Sequence, residues 1–480
     1  MKRRLLVLVV VALWLGSLAT LGAGQAPAAK PQVIPKEVPK ISEVRTAVDA
    51  QIDALSPRMI EMNDWMYHNP ESGFVEFKAS AMLTDELKKQ GFEVEAGVPN
   101  LPAGYDKLKL IGGLAADYSG PAGMPTAFKA KYKGKTEHPV IGFMVEYDAL
   151  RGNPAFHGCE HNMQGPTGIG AAIALAQTME KYKIPGSVWV IGAPAEEVGP
   201  PPKRTQAETG YLSGIDFMMI SHGVAQETLR SPAGSSSMHL RQMKYTFHGK
   251  PAHAAGDPWH GVSALDSVLL MTDGLERLRE HSEPQFRFHY VIDNGGVAPN
   301  IVPQLASAIV WVRHLADNTV VGGVNPMKAR KMIEAKMDQM DGIAKGAAQM
   351  TGTTVDISRY GEYDPGVAVG TMNDIMFQYA VDYGGIGVGE AKFPAQWDET
   401  GAVTLLMPGV QAKIGTEGIP DAAGHSQENA DITVTPAGHK SLVLTSKVMA
   451  ATALRLFMDP DLAKKAKAEH AVLVEKYKQQ

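Results

Sequence analysis

Three apolar runs constrain this chain more than anything else in it: "HPVIGFMVEYDAL", "GSVWVIGAPAEE" and "GIDFMMISHG" each carry a hydrophobic stretch straight into polar residues. A run without polar alternation suits a strand buried on both faces, which is how the strands of parallel sheets read. The first run then delivers Glu146 and Asp148 at its carboxyl end, the second Glu196 and Glu197, and the third His222. Between the first two, "GIGAAIALAQTMEKY" suits a helix. Strand, helix, strand, with polar groups collected where strands end, predicts an open α/β sheet whose site lies at its carboxyl edge.

The pattern changes near Ser231. Residues 235–248 alternate as a strand, 261–279 suit a helix, 286–293 and 303–314 strands, 327–349 a helix and 352–360 a closing strand. That β-α-β-β-α-β order is the split ferredoxin-like unit, and it reads as a module inserted into the α/β domain. The predicted layout is a leader at 1–26, a Pro-rich linker at 27–41, the first part of the α/β domain at 42–230, the inserted module at 231–361 and the second part at 362–480.

The leader rests on Lys2, Arg3 and Arg4, an apolar run from Leu5, and small residues Gly24 and Ala26 at a cleavage-like site. This is the anatomy of a secretory signal peptide; the rival is an uncleaved membrane anchor. Pro27, Pro31, Pro35 and Pro39 then recur every four residues as an extended spacer. Cleavage removes three basic residues and takes the formal charge from −5 to −8. No run of Lys and Arg interleaved with aromatics stands elsewhere, so a nucleic-acid partner is excluded. A periplasmic or secreted chain, free of the membrane after cleavage, is expected.

Export makes the single cysteine conspicuous, because oxidising compartments favour paired thiols. Cys159 stands in "FHGCEHN" with His161 two residues on, so both side chains can face one point. A buried inert thiol is the plain alternative; thiolate and imidazole together suit zinc, nickel, cobalt or manganese. Glu196 and Glu197 emerge from a strand too apolar to be exposed, so one can bind metal while the other stays free as general base. His222 and His425, the latter in "AAGHSQENAD", are unremarkable singly. Together with Cys159, His161 and the glutamates they exceed the ligands of one zinc site and could serve two ions. "GPTGIGAA" imitates a dinucleotide fingerprint, but no strand precedes it, so it reads as close helix packing. There is no Gly-x-Ser-x-Gly elbow to supply a serine nucleophile.

"EYDALRGNPAFHGCEHN", "GAPAEE", "GKPAHAAGDPWHGVSALD", "GGVAPNIVPQLASAIVWVR" and "AGHKSLVLTSKVMA" occur in matching order over roughly residues 45–470. With them the chain resembles the metal-dependent amidohydrolases and carboxypeptidases that include aminobenzoyl-glutamate hydrolase, hippurate hydrolase and the auxin-conjugate hydrolases. Within these it is most similar to the group formed by the B-type subunits of aminobenzoyl-glutamate utilisation. The resemblance implies an open mixed-sheet metallopeptidase domain carrying a ferredoxin-like lid that pairs two subunits into a homodimer. It implies metal ligation by Cys159, His161, Glu197, His222 and His425, general base action by Glu196 and an orienting role for Asp148. His253 matches the residue that polarises the scissile carbonyl, while Asn300 and Arg313 match residues that meet a substrate carboxylate; His157 is a bystander.

Two departures from the family pattern stand out. Glu160 replaces the usual glycine between Cys159 and His161, and "WDETGAVTLLMPG" carries Glu399 and Ala402 where the group has an acidic pair. The expected activity is hydrolysis, with one or two divalent ions per subunit, of an amide joining an acyl or aroyl group, or a peptide, to an amino acid with a free carboxylate. The rival is a catalytically weak relative that binds such conjugates outside the cytoplasm.

Overall fold

The computed structural model describes residues 37–99, 124–152, 154–197, 201–231, 238–315, 326–391 and 400–479. The leader, residues 27–36 of the spacer and Glu399 lie outside that description. The chain is already helical at Pro39, where the helix Pro39–His68 begins. Proline fits a helix start because its missing N–H would be unbonded there anyway, so the spacer ends sooner than its composition predicts.

The described strands are β1 (Glu93–Ala96), β2 (Phe128–Lys133), β3 (Val140–Val145), β4 (Ser187–Gly192), β5 (Phe217–Ser221), β6 (Leu229–Arg230), β7 (Met238–His248), β8 (Phe286–Asn294), β9 (Leu305–Leu315), β10 (Thr354–Tyr363), β11 (Gly389–Glu390) and β12 (Gly409–Ala412). One sheet runs β1-β2-β4-β3-β5-β12, antiparallel through β1, β2 and β4 and parallel from β4 to β12. The three apolar runs of the sequence are its centre, β3, β4 and β5.

Side chains alternate along these strands between two cores, as the pleat requires. Ile141, Phe143 and Val145 of β3 enter one core with the helices Pro39–His68, His161–Tyr182 and Pro436–Met458, while Val140 and Met144 enter the other with Tyr211, Leu212 and Val403. Glycines set the helix–sheet spacing. A Cβ at Gly168 would collide with Val145, and one at Gly170 with Met59, so "GPTGIGAA" is indeed a close-packing face. The helix Pro436–Met458 is apolar and long enough to cross a bilayer, yet 83% of its apolar window is buried against these neighbours.

The second sheet runs β10-β7-β9-β8, all antiparallel. With the helices Ala264–Glu280 and Pro326–Thr351 it has the ferredoxin-like β-α-β-β-α-β order. Met243, Tyr245, Phe247, Ala308, Val310 and Val312 face those helices. The register puts Gln242, Trp311, Arg313, Gly361 and Tyr363 on the opposite face, turned to the first sheet's carboxyl edge. The module leaves through Asp364, whose carboxylate accepts from His239 Nδ1 at 2.8 Å, Arg241 at 2.9 Å and Arg330 at 3.2 Å.

Candidate metal centre

Each ligand candidate leaves the end of an element that the sheet aligns. Glu146 and Asp148 follow β3, the segment Ala193–Glu197 follows β4, and His222 follows β5. His161 opens the helix His161–Tyr182. His425 comes from far down the chain: its N–H donates to the carbonyl of Gly158 at 3.0 Å, and its backbone is left-handed, φ +63°. That bond ties it beside Cys159.

Asp148 organises the centre. Its Oδ1 accepts from His161 Nδ1 at 2.9 Å and its Oδ2 from the Glu197 N–H at 3.0 Å. With Nδ1 committed as donor to Asp148, His161 Nε2 turns inward, the nitrogen that would face a metal in the usual ligand arrangement. It lies 3.9 Å from Glu196 Oε2 and 3.9 Å from Glu197 Oε1. Cys159 Sγ is 3.8 Å from His222 Nε2, and His425 Nε2 is 4.0 Å from Glu197 Oε2. Donor atoms of three overlapping groups, Cys159/His161/His222, Cys159/Glu197/His425 and His161/Glu196/Glu197, lie within 4.8 Å of one another. The structure thus brings together all five expected ligands and the expected base.

The donor set fits a divalent cation. His161 Nε2 and Glu197 Oε1 are buried with no hydrogen-bond partner among the described residues, which is costly unless something satisfies them. Burial, then the charge of Glu197, pushes the Cys159 thiol well up. Burial likewise raises Glu197 and raises Glu196 strongly, although the Lys203 ammonium opposes the latter. Burial works to lower His161, but Glu146, Cys159 and Asp148 override it and hold the ring well above its ordinary range. A thiol, imidazoles and carboxylates crowded at one point are a poor arrangement by themselves and a good one around a positive ion.

Several participants were not legible as such in the sequence. Lys203, fully buried, sets its ammonium on Glu146, and Glu146 Oε2 lies 3.2 Å from His161 Nε2. Breaking a buried pair of this kind costs about 3–5 kcal/mol. Glu76, in the stretch "NPESGFVEF", is completely buried. Burial and the neighbouring Asp148 push it up to about 8, against three hydrogen bonds it accepts from Phe74 N, Ala195 N and Thr126 Oγ1. His157 is buried, pushed down to about 3 by that burial, and lies outside the three candidate ligand groups.

Glu160 is resolved by geometry. Its backbone is left-handed and its carboxylate folds over Gly223, where no Cβ could fit, to accept the Val224 N–H at 3.0 Å. Burial pushes it up to about 7, offset by Lys413, Val224 and Asn429. The departure from the family pattern is therefore spent on a loop contact rather than on a ligand position. Ala402 of the second departure lies in the short helix Thr400–Thr404.

A cavity of about 1190 Å³ joins the centre to the module's inner face. Leu229, Val388, Ile419 and Pro420 give it an apolar wall, and Arg313, Trp311 and Tyr363 close the far side. Arg313 donates to the Tyr363 hydroxyl at 2.9 Å. His253 and Asn300 are not in that cavity. They lie side by side on the exposed surface of the module, where Ala254 N donates to the Asn300 carbonyl at 3.0 Å. His253 Nδ1 accepts from Ala255 N at 3.2 Å and Gly256 N at 3.0 Å, which leaves Nε2 as an outward N–H donor. The structure brings Arg313 to the centre's cavity and leaves the other two outside it.

The family described as peptidase dimerisation domain matches residues 234–343. The chain is 30% identical to a Xaa-Arg dipeptidase of Mus musculus, over 72% of this chain and 78% of that one. It is 31% identical to the B-type subunit of p-aminobenzoyl-glutamate hydrolase of Escherichia coli K12, over 66% and 60% of the two chains. Its fold superposes on an aminobenzoyl-glutamate utilisation protein of Klebsiella pneumoniae with a TM-score of 0.60 at 18% identity, covering 85% of this chain and 98% of that one. A dinuclear metal-binding peptidase of the M20 family from Bacillus subtilis gives 0.53 at 19% identity, covering 85% and 99%.

Proposed function

This chain belongs to the M20 family of metal-dependent peptidases and amidohydrolases, and from that premise we propose that it hydrolyses, outside the cytoplasm, the amide between an acyl or aroyl group and an amino acid whose carboxylate is free. The observation that carries the reading is the convergence of Cys159, His161, Glu197, His222 and His425 on one point, with Glu196 beside them, at a cavity whose far wall holds Arg313.

The five ligands would hold one or two divalent ions, of zinc, manganese, nickel or cobalt. Such an ion would supply Lewis acidity and bring the pKa of water down towards about 7. Glu196, which metal ligation does not require, accepts the proton of the attacking water and passes it to the leaving nitrogen. Asp148 keeps His161 in one tautomer and Glu197 in place through the two bonds already described. Arg313, steadied by Tyr363, receives the substrate carboxylate. The apolar wall of Leu229 and Val388 suits an aryl or alkyl acyl group. His253 donates from Nε2 to the developing oxyanion. Its place outside its own chain's cavity favours delivery from the second subunit of a homodimer, with Asn300 beside it. The chain's expected leader supports a periplasmic or secreted location.

The test is a panel of p-aminobenzoyl-glutamate, hippurate, N-acyl amino acids and Xaa-Arg dipeptides, assayed with the purified chain after elemental analysis. We expect metal in the isolated protein and turnover of at least one class. Glu196→Gln should keep its metal and lose on the order of 10²–10⁴-fold in kcat, and Glu197→Gln should lose metal as well. Bound metal with no turnover across the panel would favour the conjugate-binding role; full activity of Glu196→Gln would refute the base assignment.

A further inference from the structure

Glu196 is flanked by two backbone amides, and each is held by a buried carboxylate from elsewhere in the chain. The N–H of Glu197 donates to Asp148 Oδ2 at 3.0 Å, and the N–H of Ala195 donates to Glu76 Oε1 at 2.7 Å. The same Oε1 accepts from Phe74 N at 3.0 Å, and Oε2 is joined to Thr126 Oγ1 at 2.7 Å. Both amides on Oε1 belong to residues in the left-handed region, Phe74 at φ +68° and Ala195 at φ +60°. Non-glycine residues seldom adopt that conformation unless their surroundings impose it. At Ala195 it turns the chain so that the next two side chains, both acidic, leave β4 towards the centre.

We propose that Glu76 is a positioning residue for the general base: its Oε1 fixes the left-handed turn at Ala195 and so aims Glu196 at the reacting water. This rests on the reading of Glu196 as base. The function belongs to one oxygen acting as acceptor, which a carboxyl or a carboxamide supplies equally well. Asp148 holds the same segment from the other side, so the segment is gripped on both sides of the base, and only the Asp148 grip also reaches a metal ligand's imidazole.

The inference predicts a pattern of responses in the metal-loaded enzyme, read with whichever panel amide turns over. Glu76→Ala should lower kcat on the order of 10²-fold, the loss that a displacement of about 1 Å can bring, with KM and metal content within about twofold of wild type. Glu76→Gln should stay within about threefold of wild-type kcat, because its Oε1 still accepts both amides. Hydrogen exchange at the Ala195 amide should quicken in Glu76→Ala and stay slow in Glu76→Gln, a readout independent of turnover. In a Glu196→Gln background, Glu76→Ala should cost nothing further, since groups acting as a unit are not additive.

An unchanged kcat in Glu76→Ala, an unchanged Ala195 exchange rate, or an equal further loss in the Glu196→Gln background would each overturn the inference while leaving Glu196 as base. An active Glu196→Gln enzyme would instead overturn the base assignment, and the positioning role with it. If Glu76→Ala does not fold, Glu76→Asp carries the same test with its carboxylate drawn back by one methylene. Failure of both to fold would make Glu76 a folding element and overturn the assignment.

Discussion

His314 gives the lid a measurable acid sensitivity. Its ring is completely buried on the helix-covered face of the second sheet, edge-on to Phe286 at 4.5 Å, and neither ring nitrogen has a side-chain hydrogen-bond partner among the described residues. Burial, then the neighbouring His239, pushes it down from 6.5 to about 4; the Leu315 backbone and Glu283 act against that shift and Lys336 with it. His239 is its cross-strand partner and is itself engaged at both nitrogens, by Asp364 and by the Pro326 carbonyl. An imidazolium at 314 would thus sit in an apolar core, packed against Phe286 and opposite a second imidazole.

The unfolded chain binds a proton at this site below pH 6.5 and the folded chain only near pH 4, so stability is fully present above 6.5 and falls as the pH drops towards 4. The slope approaches about 1.4 kcal/mol per pH unit. Integrated, the loss is about 2 kcal/mol at pH 5 and about 3 kcal/mol at pH 4 relative to pH 7 or above. The perturbation is His314→Leu, close in volume and without a proton to bind. The assay is urea unfolding of metal-free wild type and variant at pH 7.5, 6, 5 and 4.5. Relative to wild type, the variant should gain about 2 kcal/mol between pH 7.5 and 5. A difference that stays constant over that range would refute the argument, since every other titrating group is common to both chains.

Two further outcomes follow from the site. Because burial and Glu197 hold the metal-free Cys159 thiol protonated, zinc added to weakly buffered apoprotein should release about one proton fewer from Cys159→Ser than from wild type; equal release would return Cys159 to an inert role. Because His253 lies outside its own chain's cavity, mixed His253→Ala and Glu196→Gln subunits should recover roughly a quarter of wild-type activity through hybrid dimers with one intact site; no recovery despite verified subunit exchange would place the histidine's action within one chain.

The sequence by itself determined the sheet and the approach of its ligands. Continuous apolar runs of this length suit buried strands, and in a parallel sheet their carboxyl ends lie along one edge, so the pattern predicts Glu146, Asp148, Glu196, Glu197 and His222 on that edge. The order of alternating and helical segments likewise determined the inserted module. Tertiary structure alone decided the rest, because the remaining positions depend on hydrogen bonds between segments far apart in the chain. His425 reaches Cys159 through a bond to Gly158, and Glu160 turns from the centre because Val224 offers an N–H and Gly223 leaves room. Lys203 finds Glu146 across a loop and an interior that no local pattern encodes. No local pattern in the sequence singles out Glu76. Only the fold buries it against Ala195, and in a completely buried site of low dielectric a single acceptor oxygen becomes decisive.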